Sequence, residues 1–69
     1  MEIIETFGQR VMRLRNERNL TRKELADKSG ITTANIRIIE KDAFKKRLRV
    51  STVMSLAKAL EVEYEDLEM

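Results

Sequence analysis

The chain has 69 residues, 42% apolar and 38% charged, with a formal net charge of only +2. That length allows one small domain with a core near the lower limit of independent stability. Cys and His are both absent, which excludes disulfide staples, thiolate metal sites and the usual acid–base chemistry of neutral pH.

Residues 1–6 read as a lead-in, with Ile3 and Ile4 available for packing. From there the apolar residues fall at Phe7, Val11 and Leu14, with Leu20 beyond a break. Steps of four and three mark one face of a helix. The spacing predicts a first helix over about residues 5–18, with Gln9, Arg10, Arg13 and Glu17 turned mostly outward and Met12 and Arg15 at the flanks. Asn tolerates the left-handed conformation that ends many helices, so the helix is expected to stop near Asn19 and Leu20 to pack back. Thr21 opens a second helix as its N-cap. Glu24 completes a Thr-x-x-Glu capping box, which satisfies two otherwise unpaired backbone donors. This helix runs to about Lys28 with Leu25 and Ala26 inside, and Ser29-Gly30 forms the turn. Thr32 caps a third helix that continues to about Glu40, burying Ile36 and Ile39. Its outward positions are Thr33, Ala34, Arg37 and Ile38, with Asn35 at the side.

The next stretch, KDAFKKRLR, sets Lys41, Lys45, Lys46, Arg47 and Arg49 against the single acid Asp42. It reads as an irregular connection tied to the core by Phe44 and Leu48. A fourth helix is predicted from about Ser51 to Leu60, with Val53, Leu56, Ala57 and Leu60 on one face. A short fifth is predicted in VEYEDLEM, with Tyr64 and Leu67 facing in. These elements make an all-α chain in a single domain over residues 1–69, without internal repeats or low-complexity segments.

Several function classes drop out. Ser and Thr have no His to activate them and no Lys has a signalled partner, so an enzyme is not expected. The acids from Glu61 to Glu68 lack the Gly and Asp/Asn pattern of a calcium loop, and no Gly-rich phosphate cradle occurs. Neither metal nor cofactor is expected. No apolar run approaches the ~18 residues of a membrane span, and charges run through the first 20 residues, so the cytoplasm is the expected location. The charge distribution says more than the total. All 14 Lys and Arg lie between Arg10 and Lys58, opposed there only by Glu17, Glu24, Asp27, Glu40 and Asp42, which leaves +9. The other seven acids sit at the two ends. Such a body suits a polyanion, since each phosphate neutralised releases counterions. A merely solvated surface with acidic ends gives the same count.

The sharpest signal is RKELADKSGITTANIRIIE, residues 22–40. Ala26 and Gly30 are expected where two steeply crossing helices leave room for a methyl group and bare backbone. Leu25, Ile31, Ile36 and Ile39 would be buried between those helices. This is the spacing of a helix-turn-helix, whose second helix enters the DNA major groove. Small helical domains often place Ala and Gly at close crossings without touching DNA; the conjunction with two threonine caps is more specific. LTRKELADKSGITTANIRIIE resembles the phage repressor and Cro-type helix-turn-helix family of bacterial DNA-binding transcriptional regulators. The resemblance covers about residues 7–67, including FGQRVMRLRNERNL and LAKALEVEYEDL. It implies a five-helix, lambda-repressor-like fold that binds double-stranded DNA as a homodimer on a palindromic operator.

The resemblance also implies roles. Arg22 and Thr32 match positions that contact phosphate at helix N-termini. Thr33, Ala34 and either Arg37 or Ile38 match positions facing base edges, and Asn35 faces base or backbone. Arg37 suits a bidentate contact to guanine, Thr33 a hydrogen bond and Ala34 a thymine methyl. Arg15 and Glu40 match a partly buried ion pair tying the first helix to the end of the third. Lys41, Lys45, Lys46, Arg47 and Arg49 extend the phosphate surface beyond the motif. Self-association is expected at the loop before the fourth helix and around Val62, Tyr64, Leu67 and Met69. The chain departs from the family in a longer third-to-fourth connection without the usual Pro, in Asp42 and Glu61 where Gly is common, and in Ile38 where a polar residue often reads a base. Ile38 and the acidic tail also fit an alternative, a protein partner on the same fold, as in an antitoxin or anti-repressor.

Overall fold

A computed structural model describes residues 4–67. They form α1 (Phe7–Glu17), α2 (Arg22–Ser29), α3 (Thr33–Glu40), α4 (Val50–Ala59) and α5 (Tyr64–Leu67). The order and type of all five helices match the apolar spacing. α1 starts at Phe7 rather than about residue 5 because Thr6 caps it. The Thr6 hydroxyl accepts from the Gln9 N–H at 3.1 Å, and the Gln9 side chain accepts from the Thr6 N–H at 3.0 Å. This is a second capping box, Thr-x-x-Gln, one step outside the apolar period of the helix. The Thr21–Glu24 box forms as expected, with bonds of 2.8 and 3.1 Å. Thr32 caps α3 by accepting from the Asn35 N–H. α4 begins one residue early, at Val50, with Arg49 as an N-cap residue whose side chain makes no capping bond.

Three helices end in the left-handed conformation without glycine, at Asn19 (φ 55°), Asp42 (φ 54°) and Glu61 (φ 58°). After each, the next N–H reaches back to close the helix: Leu20 to the Arg15 carbonyl, Ala43 to Ile38 and Val62 to Ala57, at 2.9–3.1 Å. Asp42 and Glu61, which stand where the resemblance leads one to expect Gly, therefore keep the ordinary Schellman closure. They do so at roughly 1–2 kcal/mol of local strain each.

The core is drawn from every helix: Phe7, Val11 and Leu14; Leu25 and Ala26; Ile36 and Ile39; Val53, Leu56 and Ala57; then Leu60 and Leu67. α3 packs on α1 and α2, α2 also on α4, and α5 closes against α4 and α1. Burying an aliphatic side chain of this size contributes about 1.5–3 kcal/mol, so Ile36 and Ile39 anchor α3 firmly for an eight-residue helix.

The structure corrects two readings. Gly30 is not a close-packing residue: it is exposed, and a Cβ added there meets nothing within 4 Å. Its φ of 75°, ending α2 in the left-handed region, is what favours glycine. The close approach lies at Gly8 instead, where a Cβ would sit 2.4 Å from the Ile39 carbonyl oxygen and 2.6 Å from that of Glu40. Leu67, expected at a self-association surface, is fully buried within the chain, because α5 needs an apolar anchor to lie on the core. Met69 and Ile3 fall outside the described residues.

Candidate nucleic-acid interface

α3 is divided sharply along its length. Ile36, Ile39 and Glu40 are buried, Ala34, Asn35, Arg37 and Ile38 are exposed, and Thr33 is half-buried. Positions 34, 37, 38 and 41 recur at steps of three and four, so they share the face opposite the apolar stripe. That outward face carries the cations Arg37 and Lys41 and no acid, since the only carboxylate of α3, Glu40, turns inward. The turn before it is tightened by Ser29, whose hydroxyl donates to the Ala26 carbonyl and accepts from the Ile31 N–H.

Glu40 fixes the end of this helix. Its carboxylate, with no exposed side-chain surface, accepts from Arg15 Nε at 2.6 Å and Arg15 Nη2 at 3.3 Å. Arg15 Nη1 donates to the Leu20 carbonyl at 2.8 Å. The expected pair is thus present, and it is a triad: Arg22 Nε also donates to Glu40, at 2.9 Å. The family resemblance implied a phosphate contact alone for Arg22, and no local pattern links positions 22 and 40. A buried carboxylate is tolerable only when its charge and hydrogen bonds are met; the Arg15 fork meets them, and Arg22 adds a third bond.

A second junction joins the two ends of α1 and α3. Asp42 Oδ1 accepts from the Gly8 N–H at 2.8 Å and Asp42 Oδ2 from the Thr6 hydroxyl at 2.6 Å. The left-handed turn after α3 therefore delivers a carboxylate to the N-terminus of α1, where unpaired N–H groups and the helix dipole favour negative charge. Asp42, read only as a departure from Gly, is a capping residue between elements.

The basic connection is held at both ends. Phe44 packs edge-to-face on Phe7, with centroids 6.3 Å apart and planes at 86°, and Leu48 is also packed against the core. Between these anchors Lys45, Lys46 and Arg47 are exposed, as are Lys41 and Arg49 on either side. All five cations of this connection assigned to phosphate therefore lie on the surface, on a loop whose path is set by apolar contacts. Thr32 is exposed and Arg22 is partly so. Beside α3, Ile31, Ile38, Phe44 and Leu48 line an open apolar groove, with Asn35 and Thr52 at its edge.

The outer side of α1 bears a separate ion network. Arg13 holds Glu5 through Nε at 2.6 Å and Nη2 at 3.2 Å, and holds Glu17 at 3.0 Å. These contacts, led by the Arg13 hydrogen bond, keep the Glu5 carboxyl below its ordinary range. Glu24 is likewise lowered, chiefly by the backbone N–H of Thr21 in the capping box. No described helix is long and apolar enough to cross a membrane.

A short helix with an exposed cationic face, packed on α1 and α2 and followed by a basic connection, fits the helix-turn-helix class of DNA-binding domain. The helix-turn-helix family model matches residues 11–67, and the chain belongs to that family, in the phage repressor and Cro-like group of bacterial DNA-binding transcriptional regulators, which are not enzymes. It is 40% identical over 64 residues to the HTH-type transcriptional repressor RghR of Bacillus subtilis (strain 168), a match covering 93% of this chain and 47% of that protein. It is 36% identical over 58 residues to the immunity repressor protein of Bacillus phage phi105, covering 84% of this chain and 39% of that one. The chain therefore spans less than half the length of these two repressors. Among solved structures, the restriction-modification controller protein C.AhdI from Aeromonas hydrophila is similar with a TM-score of 0.81 and 29% identity, over 90% of this chain and 91% of that one. The SinR protein/SinI protein complex contains a chain alike in fold, with a TM-score of 0.81 at 24% identity, over 90% of this chain and 59% of that one.

Proposed function

We propose that this chain is the sequence-specific DNA-binding domain of a transcriptional regulator of repressor type, acting as a homodimer on a palindromic operator. The observation that carries the reading is α3: its inner face is locked by Ile36, Ile39 and Glu40, and its outer face presents Thr33, Ala34, Arg37 and Ile38. In this reading α3 lies in the major groove. Arg37 makes a bidentate contact to guanine, Thr33 donates or accepts at a base edge, and Ala34 and Ile38 lie against thymine methyl groups. Asn35 contacts base or backbone. Arg22, Thr32, Lys41, Lys45, Lys46, Arg47 and Arg49 hold phosphates and set the register without carrying sequence information.

For the dimer surface, the exposed apolar residues Val50 and Met54 join the half-buried Val62 and Tyr64 in place of the buried Leu67. A two-fold pairing there puts two reading helices on one duplex and makes the half-sites about 34–36 Å apart. Selection of bound sites from a random DNA pool tests the whole reading. The expected product is a two-fold symmetric consensus with half-sites one helical turn apart. A pool that stays random, with wild-type protein bound equally to all sequences, contradicts it.

A second reading places a protein on the same face, as in an antitoxin or anti-repressor. The groove between Ile31, Ile38, Phe44 and Leu48 favours it, because an exposed Ile beside an apolar trough suits a protein side chain as well as a thymine methyl. A stoichiometric protein partner recovered by pull-down, with no DNA shift at low salt, would decide for it.

A further inference from the structure

The charge count around Glu40 is unbalanced. Arg15 alone satisfies the carboxylate, with a two-point fork through Nε and Nη2, and it is itself buried. Arg22 brings a second guanidinium to the same oxygen that Arg15 Nη2 reaches. One carboxylate against two guanidiniums leaves a net positive charge. Arg22 is also the first residue of α2, at the helix end where the macrodipole disfavours a cation. For stability alone this is a poor place for a second arginine; for holding an anion it is a good one.

The geometry also fixes how Arg22 can act. Its side chain is 37% exposed, against none for Glu40. A guanidinium is planar and rigid, so the bond from Nε to Glu40 restrains the whole group, and neither Nη of Arg22 makes a hydrogen bond among those described. An arginine held in this way meets a phosphate with little loss of rotamer freedom.

We infer that Glu40 is a positioning residue for DNA binding: its buried carboxylate aims Arg22 at a backbone phosphate, so the phosphate contact and the end of α3 share one anchor. This rests on the reading of the chain as a DNA-binding domain. It assigns to Glu40 a second task beyond joining α1 to α3. It also makes Arg22 unlike the lysines of the 45–47 loop, which act as unaimed charges.

The test uses Arg22→Gln and Arg22→Lys on the selected operator, each measured across a salt series, with thermal melting to confirm the fold. Both variants leave the Arg15–Glu40 fork in place. Arg22→Gln is expected to weaken binding about tenfold or more and to lower the salt slope by about one. Arg22→Lys is expected to keep the slope, since the charge remains, yet to recover only part of the affinity, because an ammonium group lacks the oriented fork. The double variant Arg22→Gln/Glu40→Gln is expected to lose less affinity than the product of the two single losses, because Glu40 acts on the phosphate contact through Arg22. Full recovery of affinity by Arg22→Lys, or strict multiplicativity in the double variant, overturns the positioning role while leaving DNA binding intact. A wild-type protein that shifts no DNA at low salt overturns both.

Discussion

Arg37 and Glu40 lie one turn apart on α3, yet they occupy opposite kinds of surroundings. Around Glu40 everything is specified: two arginines, the Leu20 carbonyl, the close approach of Gly8 and the Asp42 cap all converge on the α1–α3 junction. Around Arg37 the side chains are exposed, and their positions follow from what the other face of the helix buries. A helix of eight residues cannot be stable alone. Its orientation must come from the inner face, which leaves the outer face free to vary. Substitutions on the two sides should therefore fail differently, the inner ones through stability and the outer ones through binding.

The hardest test of the inner side is Gly8→Ala. The added methyl would meet two backbone carbonyls, which unlike side chains cannot rotate away. A loss of about 3 kcal/mol or more in denaturant unfolding is expected, a large share of the ~5 kcal/mol typical of so small a domain. Arg37→Ala on the outer side should stay within about 0.5 kcal/mol of wild type. If Gly8→Ala melts like the wild type, the junction is far looser than described.

A finer test compares two left-handed residues. Glu61→Gly removes the strain of a positive φ, and no hydrogen bond of its side chain is among those described, so a gain of up to about 1 kcal/mol is expected. Asp42→Gly relieves the same strain but strips the carboxylate from the Gly8 N–H and the Thr6 hydroxyl. It should come out about 1–2 kcal/mol less stable than Glu61→Gly. Equal gains from both would mean that the Asp42 cap contributes nothing.

The smallest effect concerns pH. Glu5 and Glu24 both have carboxyls below the ordinary value of 4.5 in the folded chain. A lowered folded value means that the unfolded state takes up protons first. These groups therefore stabilise the fold above about pH 4.5, and the contribution is lost as pH falls through their folded values. Unfolding midpoints should hold steady from pH 7 to about 5 and decline below. Glu24→Gln keeps a neutral acceptor for the Thr21 N–H but lacks the charge that lowers the carboxyl, so it should be slightly less stable than wild type at pH 7, fall less steeply in acid and converge with it there. A steeper decline in that variant would contradict the assignment.

The two sides also differed in how much of them the sequence disclosed. Helices, caps and inner apolar positions follow short-range rules, and Thr21-x-x-Glu24, Thr32 and the Ile36/Ile39 stripe were legible from spacing alone. The Arg15–Glu40 pair came only through the family resemblance. The Arg22–Glu40 and Gly8–Asp42 contacts span 18 and 34 residues, and no periodicity encodes them; they exist because α1, α2 and α3 meet. The close approach expected at Gly30 falls at Gly8 for the same reason, since a close approach belongs to a pair of helices while a positive φ belongs to one turn. Thr6-x-x-Gln9 was overlooked because the apolar period begins one residue after it and drew the boundary elsewhere.

The most direct test of the proposed division sets Arg37→Ala beside Lys46→Ala. Each is titrated against the selected operator and against random duplex over a range of salt. Arg37→Ala should lose discrimination between the two duplexes, by about 1–3 kcal/mol, with its affinity for random DNA nearly unchanged. Lys46→Ala should weaken both duplexes alike and lower the salt slope by about one, keeping the discrimination. If Arg37→Ala preserves operator preference at fixed salt, α3 does not read the bases through this face, and the central claim is wrong.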